Sequence, residues 1–185
     1  MNKQALPTSR LTLRLVIETD VDLIHELHLL PETDKFNTLG IPKDKKETKA
    51  IVDQWMVNHK KPKPYAYTYV IEKKDDQKFV GLMALTLRNE KFKSGEVWYK
   101  LHPKHWRNGY ATEALLRLLE FAFVELKLHR IEAGCAVENI GSIRVLEKVG
   151  MIREGRKRKV LPLQSGWTDN FIYAILETDS RDKQG

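Results

Sequence analysis

The run 'EVWYKLHPKHWRNGYATEALLRLLEFAFVELKLHRIEAGCAV', from Glu96 to Val137, limits the folds open to this chain more than any other part of it. Residues 96–101 alternate like a strand, residues 109–128 carry apolar side chains at helical spacing, and residues 130–137 alternate again. A strand, an apolar helix and a second strand in so short a stretch are expected to close as a βαβ crossover. Glu113, Arg117, Glu120 and Lys127 form one narrow polar stripe, and Leu115, Leu116, Leu118, Leu119, Ala122, Phe123 and Leu126 cover most of the rest. The helix is therefore expected to lie against the sheet, with its first turn held rigidly at a strand end. There its unpaired N–H groups, with the positive end of the helix dipole behind them, attract an anion. Gly109 and Ala111 leave the backbone accessible, Thr112 adds a hydroxyl, and Lys104, His105 and Arg107 stand just ahead. A pyrophosphate fits such an end. The plainer alternative is that Gly109 supplies a tight loop and that Thr112 and Glu113 simply start a helix. Neither G-x-G-x-x-G nor G-x-x-x-x-G-K-[ST] occurs.

The remaining periodicity predicts strands at 11–16, 66–72, 79–87, 156–161 and 170–177 and helices at 21–30, 47–58 and 141–149. 'KKDDQK' reads as a hairpin turn. The order is β-α-α-β-β-β-α-β-α-β-β, an α+β fold with a mixed, mostly antiparallel sheet and a central βαβ crossover. At 185 residues, one domain spanning 1–185 is expected, with 178–185 as a flexible tail. No apolar run approaches the roughly 20 residues that span a bilayer, and residues 1–10 lack the apolar centre of a secretory signal, so a cytoplasmic protein without membrane contact is expected. A single cysteine, Cys135, makes no internal disulfide and builds no metal site. It alternates with Ile131, Ala133 and Val137 on one face of a strand and reads as core. The six histidines show no ligand spacing, and no metal is expected. The net charge of +7 suits an anionic partner, yet the bases are interleaved with acids and prolines, without the aromatic spacing of a nucleic-acid surface. Nucleic acid is therefore not the expected ligand.

The stretch from 'EVWYKL' through 'NGYATEALLRLLEFAF' to 'ENIGSIRVLEKVGMIREG' resembles the central motif block of GNAT-type N-acetyltransferases, in the branch of the ribosomal-protein N-terminal acetyltransferases of RimJ and RimL type. 'SRLTLRLVIETDVDLIHEL' and 'GWTDNFIYAILETD' extend the likeness over nearly the whole chain. What this resemblance implies is a GNAT fold with an acetyl-CoA site and direct acetyl transfer to a primary amine. The family loop Q/R-x-x-G-x-G/A, whose backbone N–H groups surround the CoA pyrophosphate, maps onto Trp106, Arg107, Asn108, Gly109, Tyr110 and Ala111. Trp106 departs from the pattern. The resemblance also implies two strands splayed around the pantetheine arm, using backbone near Tyr99 to Leu101. It places Asn139 against the arm or substrate and Ser142 near the sulfur.

For the general base, Glu96 is the candidate: it shares a strand face with Trp98 and Lys100, while Val97, Tyr99 and Leu101 take the other. A surface carboxylate at a strand start is the alternative. Asn139 followed by Ser142 is also an ordinary helix start. The tyrosine that many GNAT enzymes carry one turn later is replaced by Val145 and Leu146, which leaves Ser142 or an ordered water as general acid. The acceptor pocket is expected from Phe36 to Ile41, Trp55 and the hairpin 161–168 with Trp167. The acceptor itself is open: a protein N-terminal α-amine leads by resemblance, ahead of amino acids, polyamines and aminoglycoside-like amines. The oligomeric state is left open between monomer and homodimer. Two other classes fit part of the sequence, a catalytically silent acyl-CoA-binding sensor and a basic RNA- or ribosome-binding module.

Overall fold

The computed structural model describes residues 5–38 and 40–179. Among them eight strands form one sheet in the order β1-β2-β3-β4-β5-β6-β8-β7. The strands are β1 (Ala5–Pro7), β2 (Leu11–Leu15), β3 (Ala66–Lys73), β4 (Phe79–Leu87), β5 (Ser94–Leu101), β6 (Arg130–Ala136), β7 (Ile152–Leu163) and β8 (Gly166–Leu176). Only β5 and β6 run parallel. The helix between them, α4 (Tyr110–Glu120), makes the expected crossover. The other helices are α1 (Val21–Leu29), α2 (Pro31–Asp34), α3 (Lys45–His59) and α5 (Ile140–Lys148). The middle of the sheet is covered on both faces, while β7 at its edge is exposed along most of its length. Helix α4 packs on Leu11, Leu13, Tyr69, Met83 and Leu85, while α1 and α3 cover Val70 and Leu82 with Ile24, Leu27 and Val52. Leu115, Leu118 and Leu119 have no exposed surface, and each contributes about 1.5 to 3 kcal/mol on burial.

Several boundaries differ from expectation for local reasons. Strand β1 and the single turn of α2 are too short to show a period. Helix α3 starts two residues early because Asp44 caps it, accepting the Glu47 N–H, while the Glu47 carboxylate accepts the Lys43 N–H. Strands β7 and β8 are longer than predicted, with the turn at 164–165 between them. The crossover helix is not one α-helix to residue 128. Phe121–Glu125 forms a π-helical turn, marked by the Leu126 N–H donating to the Phe121 carbonyl. That wider turn lets three consecutive residues, Phe121, Ala122 and Phe123, all be buried, and Phe121 meets Tyr67 edge-on at 5.4 Å. Leu116, expected in the apolar face, is 42% exposed. The tail expected at 178–185 falls mostly outside the described residues. Thr178 and Asp179 close a turn in which Asp179 Oδ2 accepts the Leu176 N–H.

Candidate active site

The loop from β5 to α4 is built to present backbone. The Trp106 indole N–H donates to the Leu101 carbonyl at 2.8 Å and ties the loop to the strand end. Trp106 thus has a structural task where the family pattern carries Gln or Arg. Arg107 and Gly109 adopt left-handed conformations, with φ of 63° and 76°. A Cβ at Gly109 would meet only Arg10 Nη2, at 3.4 Å, so backbone angle rather than space calls for glycine. No side chain caps α4. The N–H groups of Tyr110, Ala111 and Thr112 have no intrahelical acceptor at this end.

Arg10, which carries no motif in the sequence, lies across this helix end. Its guanidinium is 4.8 Å from the Tyr110 ring centroid, donates to the Asn108 carbonyl at 3.1 Å, and pairs with Glu113 at 2.7 Å. Glu113 is therefore more than a member of a solvated stripe: it accepts from Thr8, Ser9 and the Arg10 amide as well. Burial alone would raise this carboxyl, but the hydrogen bonds from Thr8 and Arg10 outweigh it and hold the pKa at about 2, below the ordinary 4.5. A carboxyl depressed on folding contributes stability above its unfolded pKa, and loses it as pH falls through the folded one. Glu113→Gln is accordingly expected to lower stability at pH 7 by about 1 to 2 kcal/mol, given the exposed Arg10. That corresponds to roughly 2 to 8 °C in Tm. The deficit should shrink as pH falls from about 4.5 to about 2, and melting curves across that range check it.

Next to this loop the sheet opens. Strands β5 and β6 pair only at Ser94↔Arg130, Gly95↔Ile131 and Glu96↔Glu132. Beyond that point β5 stays with β4 as far as Leu101↔Gly81, and β6 stays with β8 as far as Ala136↔Asn170. Each strand follows its outer neighbour, and a V with its apex at Glu96 and Glu132 opens toward the loop. The facing edges, from Val97 and from Ala133, are left without strand partners in the V. Glu96 sits at the apex with its side chain 54% exposed, and Arg88 Nη2 reaches both carboxylates, at 3.8 Å for Glu96 and 2.6 Å for Glu132. The alternation expected along β5 holds: Val97 and Leu101 are buried toward α4, with Tyr99 partly so, while Trp98 and Lys100 face α1 and α3.

On the α5 side of the V, Asn139 caps the helix, its Oδ1 accepting the Ser142 N–H at 3.1 Å. The Ser142 hydroxyl lies 2.8 Å from the Tyr99 hydroxyl. Cys135 is buried, as expected, and burial pushes its thiol up to about 11. It stays a neutral thiol at neutral pH.

On the opposite face, Trp55 and Trp98 pack at 6.0 Å between ring centroids. Beside them Lys100 Nζ is 3.3 Å from His28 Nδ1. Burial brings Lys100 down to about 8, opposed by Asp34; burial, then Lys100 and His25, bring His28 down to about 4. Asp34 is 3% exposed; one oxygen accepts from Gln164 at 2.7 Å and Oδ1 has no partner. The hairpin 161–168 therefore contacts this side through Gln164, whereas Trp167 is 62% exposed. Phe36 is half-buried beneath Lys35, and residue 39 of the segment 36–41 lies outside the described residues. His28, Asp34, Lys100 and Gln164 carried no sequence signal because their polarity looks like surface until the elements pack. Among the described residues no group of three His, Cys, Asp or Glu side chains could hold a metal ion.

The sequence model of the acetyltransferase (GNAT) domain matches residues 10–152. An uncharacterized N-acetyltransferase, YnaD of Bacillus subtilis, is 45% identical over 84 residues, which span 45% of this chain and 49% of that protein. The match thus covers about half the length of that relative. A GNAT-family acetyltransferase from Bacillus anthracis superposes with a TM-score of 0.83 at 30% identity, covering 95% of this chain and 100% of that one. RimL, a ribosomal L7/L12 α-N-protein acetyltransferase solved with CoA held in a disulfide to one of its cysteines, superposes with a TM-score of 0.85 at 20% identity, covering 95% and 100%. With a matched domain over most of its length, a V-shaped opening in its sheet and an uncapped glycine-led helix beside it, the chain belongs to the GNAT acetyltransferase family.

Proposed function

We propose that this chain, acting as one catalytic domain over residues 1–185, transfers the acetyl group of acetyl-CoA directly to a primary amine. The observation that carries this reading is the V between β5 and β6 opening onto the uncapped start of α4. The helix end, with Gly109, Tyr110, Ala111 and Thr112 presenting backbone and Arg10 and Arg107 beside it, takes the pyrophosphate. An extended arm lies between the strands and borrows the unpaired backbone of Tyr99 to Leu101, as a peptide does when it adds to a sheet edge. Asn139, with its amide nitrogen left over after capping, meets that arm. The sulfur then lies by Ser142 and Cys135.

The amine arrives from the other face, past Trp55 and Trp98. Lys100 and His28, both shifted toward their neutral forms by burial, repel an approaching ammonium less than ordinary bases would. Glu96, at the apex and open to solvent, takes the amine proton directly or through water. The preferred acceptor is a protein N-terminal α-amine, whose unperturbed pKa of about 8 leaves it partly neutral at pH 7. A net charge of +7 disfavours polycationic amines. Stabilisation by acetyl-CoA in a thermal-shift measurement, followed by mass spectrometry on a panel of N-terminal peptides, amino acids and polyamines, tests this reading. Acetyl-CoA binding with no acetylated product from any amine would identify a sensor instead. Stabilisation by RNA and not by acetyl-CoA would overturn both.

A further inference from the structure

We propose that Tyr99 is a positioning residue on the thiol side of the V, its phenol holding the Ser142 hydroxyl so that Ser142 offers its hydrogen to the sulfur of CoA. The inference rests on the reading that CoA occupies the V. Its own foundation is a contact that the chain order hides: a tyrosine from β5 reaches the first turn of α5, with its hydroxyl 2.8 Å from Ser142 Oγ and 3.3 Å from the Ser142 carbonyl. Helix α5 has Val145 and Leu146 where a phenol one turn after Ser142 would stand. The phenol comes from the opposite wall.

A serine hydroxyl has one hydrogen and two lone pairs. The phenol has one hydrogen and two acceptors within reach; the Oγ contact is the shorter, 2.8 against 3.3 Å to the carbonyl, and the phenol is the stronger acid of the two hydroxyls, so Tyr99 donates to Ser142 Oγ and leaves the Ser142 hydrogen free for a third group. That third group is the sulfur of the bound CoA. A chain from phenol to alcohol to sulfur strengthens as each donor polarises the next, most of all when the acceptor is an anion. Burial holds the Tyr99 phenol well above the ordinary tyrosine range, so it remains a donor throughout the working pH range. The groups facing it are neutral: Cys135 on β6, and Ser142 itself on α5. Beyond Cys135 stand Glu147 of α5 and Tyr173 of β8, which are hydrogen-bonded to each other at 3.2 Å.

In the transfer step the amine nitrogen bonds to the acetyl carbon, the carbon–sulfur bond breaks, and its electron pair stays on sulfur. Ser142 stabilises that thiolate as it forms. The proton that completes the CoA thiol balances the one the nitrogen gives up on becoming an amide, and it passes through Glu96 and solvent. Tyr99 and Ser142 undergo no net change.

The test needs no knowledge of the acceptor. CoA and desulfo-CoA are titrated by calorimetry into the wild-type protein, Tyr99→Phe, Ser142→Ala and the double variant, from pH 7 to 9.5, through the ordinary thiol pKa of about 8.5. In the wild type, CoA is expected to gain roughly tenfold in affinity relative to desulfo-CoA as its thiol ionises, the scale of one hydrogen bond to a charged group. Tyr99→Phe should lose most of that gain. Ser142→Ala should abolish it, and adding Tyr99→Phe to Ser142→Ala should change nothing further. Unchanged desulfo-CoA affinity reports an intact site in each variant. A wild-type gain retained in Tyr99→Phe, or an equal loss from Tyr99→Phe with and without Ser142, overturns the proposal. Failure of the wild type to bind either ligand overturns the CoA reading beneath it.

Discussion

Gly109→Glu is expected to weaken acetyl-CoA binding by roughly ten- to a hundredfold, the loss of a charge-assisted contact worth about 1.5 to 3 kcal/mol. The substitution puts a carboxylate beside the N–H groups of Tyr110, Ala111 and Thr112, where a pyrophosphate competes for the same donors and dipole. It also strains the fold, since a φ of 76° costs a residue with a side chain about 1 to 2 kcal/mol. Gly109→Asn separates the two effects. Asparagine tolerates the left-handed region and carries no charge, so it should retain most of the affinity. Calorimetry on both variants, with melting curves to confirm that they are folded, checks this. Wild-type affinity in folded Gly109→Glu would remove the phosphate site from this helix end.

Glu96→Gln should lower acetyl transfer by up to about a hundredfold while acetyl-CoA affinity changes little, because glutamine keeps the shape and hydrogen bonding but cannot accept a proton. The side chain stands at the apex of the V, beside Glu132 and within 3.8 Å of Arg88, and its exposure gives water access to it. The loss should shrink as pH rises, since an α-amine of pKa about 8 is largely neutral by pH 9.5 and needs less help. A purely structural role would lower the rate by the same factor at every pH. Pre-steady-state rates from pH 6 to 9.5 discriminate, because they time transfer rather than product release. A variant with the wild-type rate throughout would make Glu96 a strand carboxylate only, with the amine losing its proton to water.

Legibility along this chain followed distance. The alternation of β5, the apolar circumference of α4, the turn at 74–78 and the cap at Asn139 were all readable, since each depends on residues within a few positions of one another. The π-helical turn at Phe121–Glu125 was not. No glycine or proline marks it, and it exists because Tyr67 and Tyr69 on β3 offer a surface that takes Phe121 edge-on. Trp106 shows both sides of this. As a motif position it looked like a departure; in the fold its indole fastens the loop to β5.

The amino-acid order by itself thus determined the βαβ crossover, the mixed sheet and the backbone-presenting turn at Gly109, because hydrophobic period and glycine's conformational freedom act over one or two turns of chain. Tertiary structure decided where β5 and β6 part, which follows from their pairing with β4 and β8. It also brought Arg10 to Glu113, Tyr99 to Ser142, His28 to Lys100 and Asp34 to Gln164. Those partners stand 103, 43, 72 and 130 residues apart. The last three form where helices and sheet exclude water, so that a polar side chain finds its partner in the protein instead of in solvent, whereas Arg10 and Glu113 meet at the surface because the fold brings the start of β2 to the start of α4.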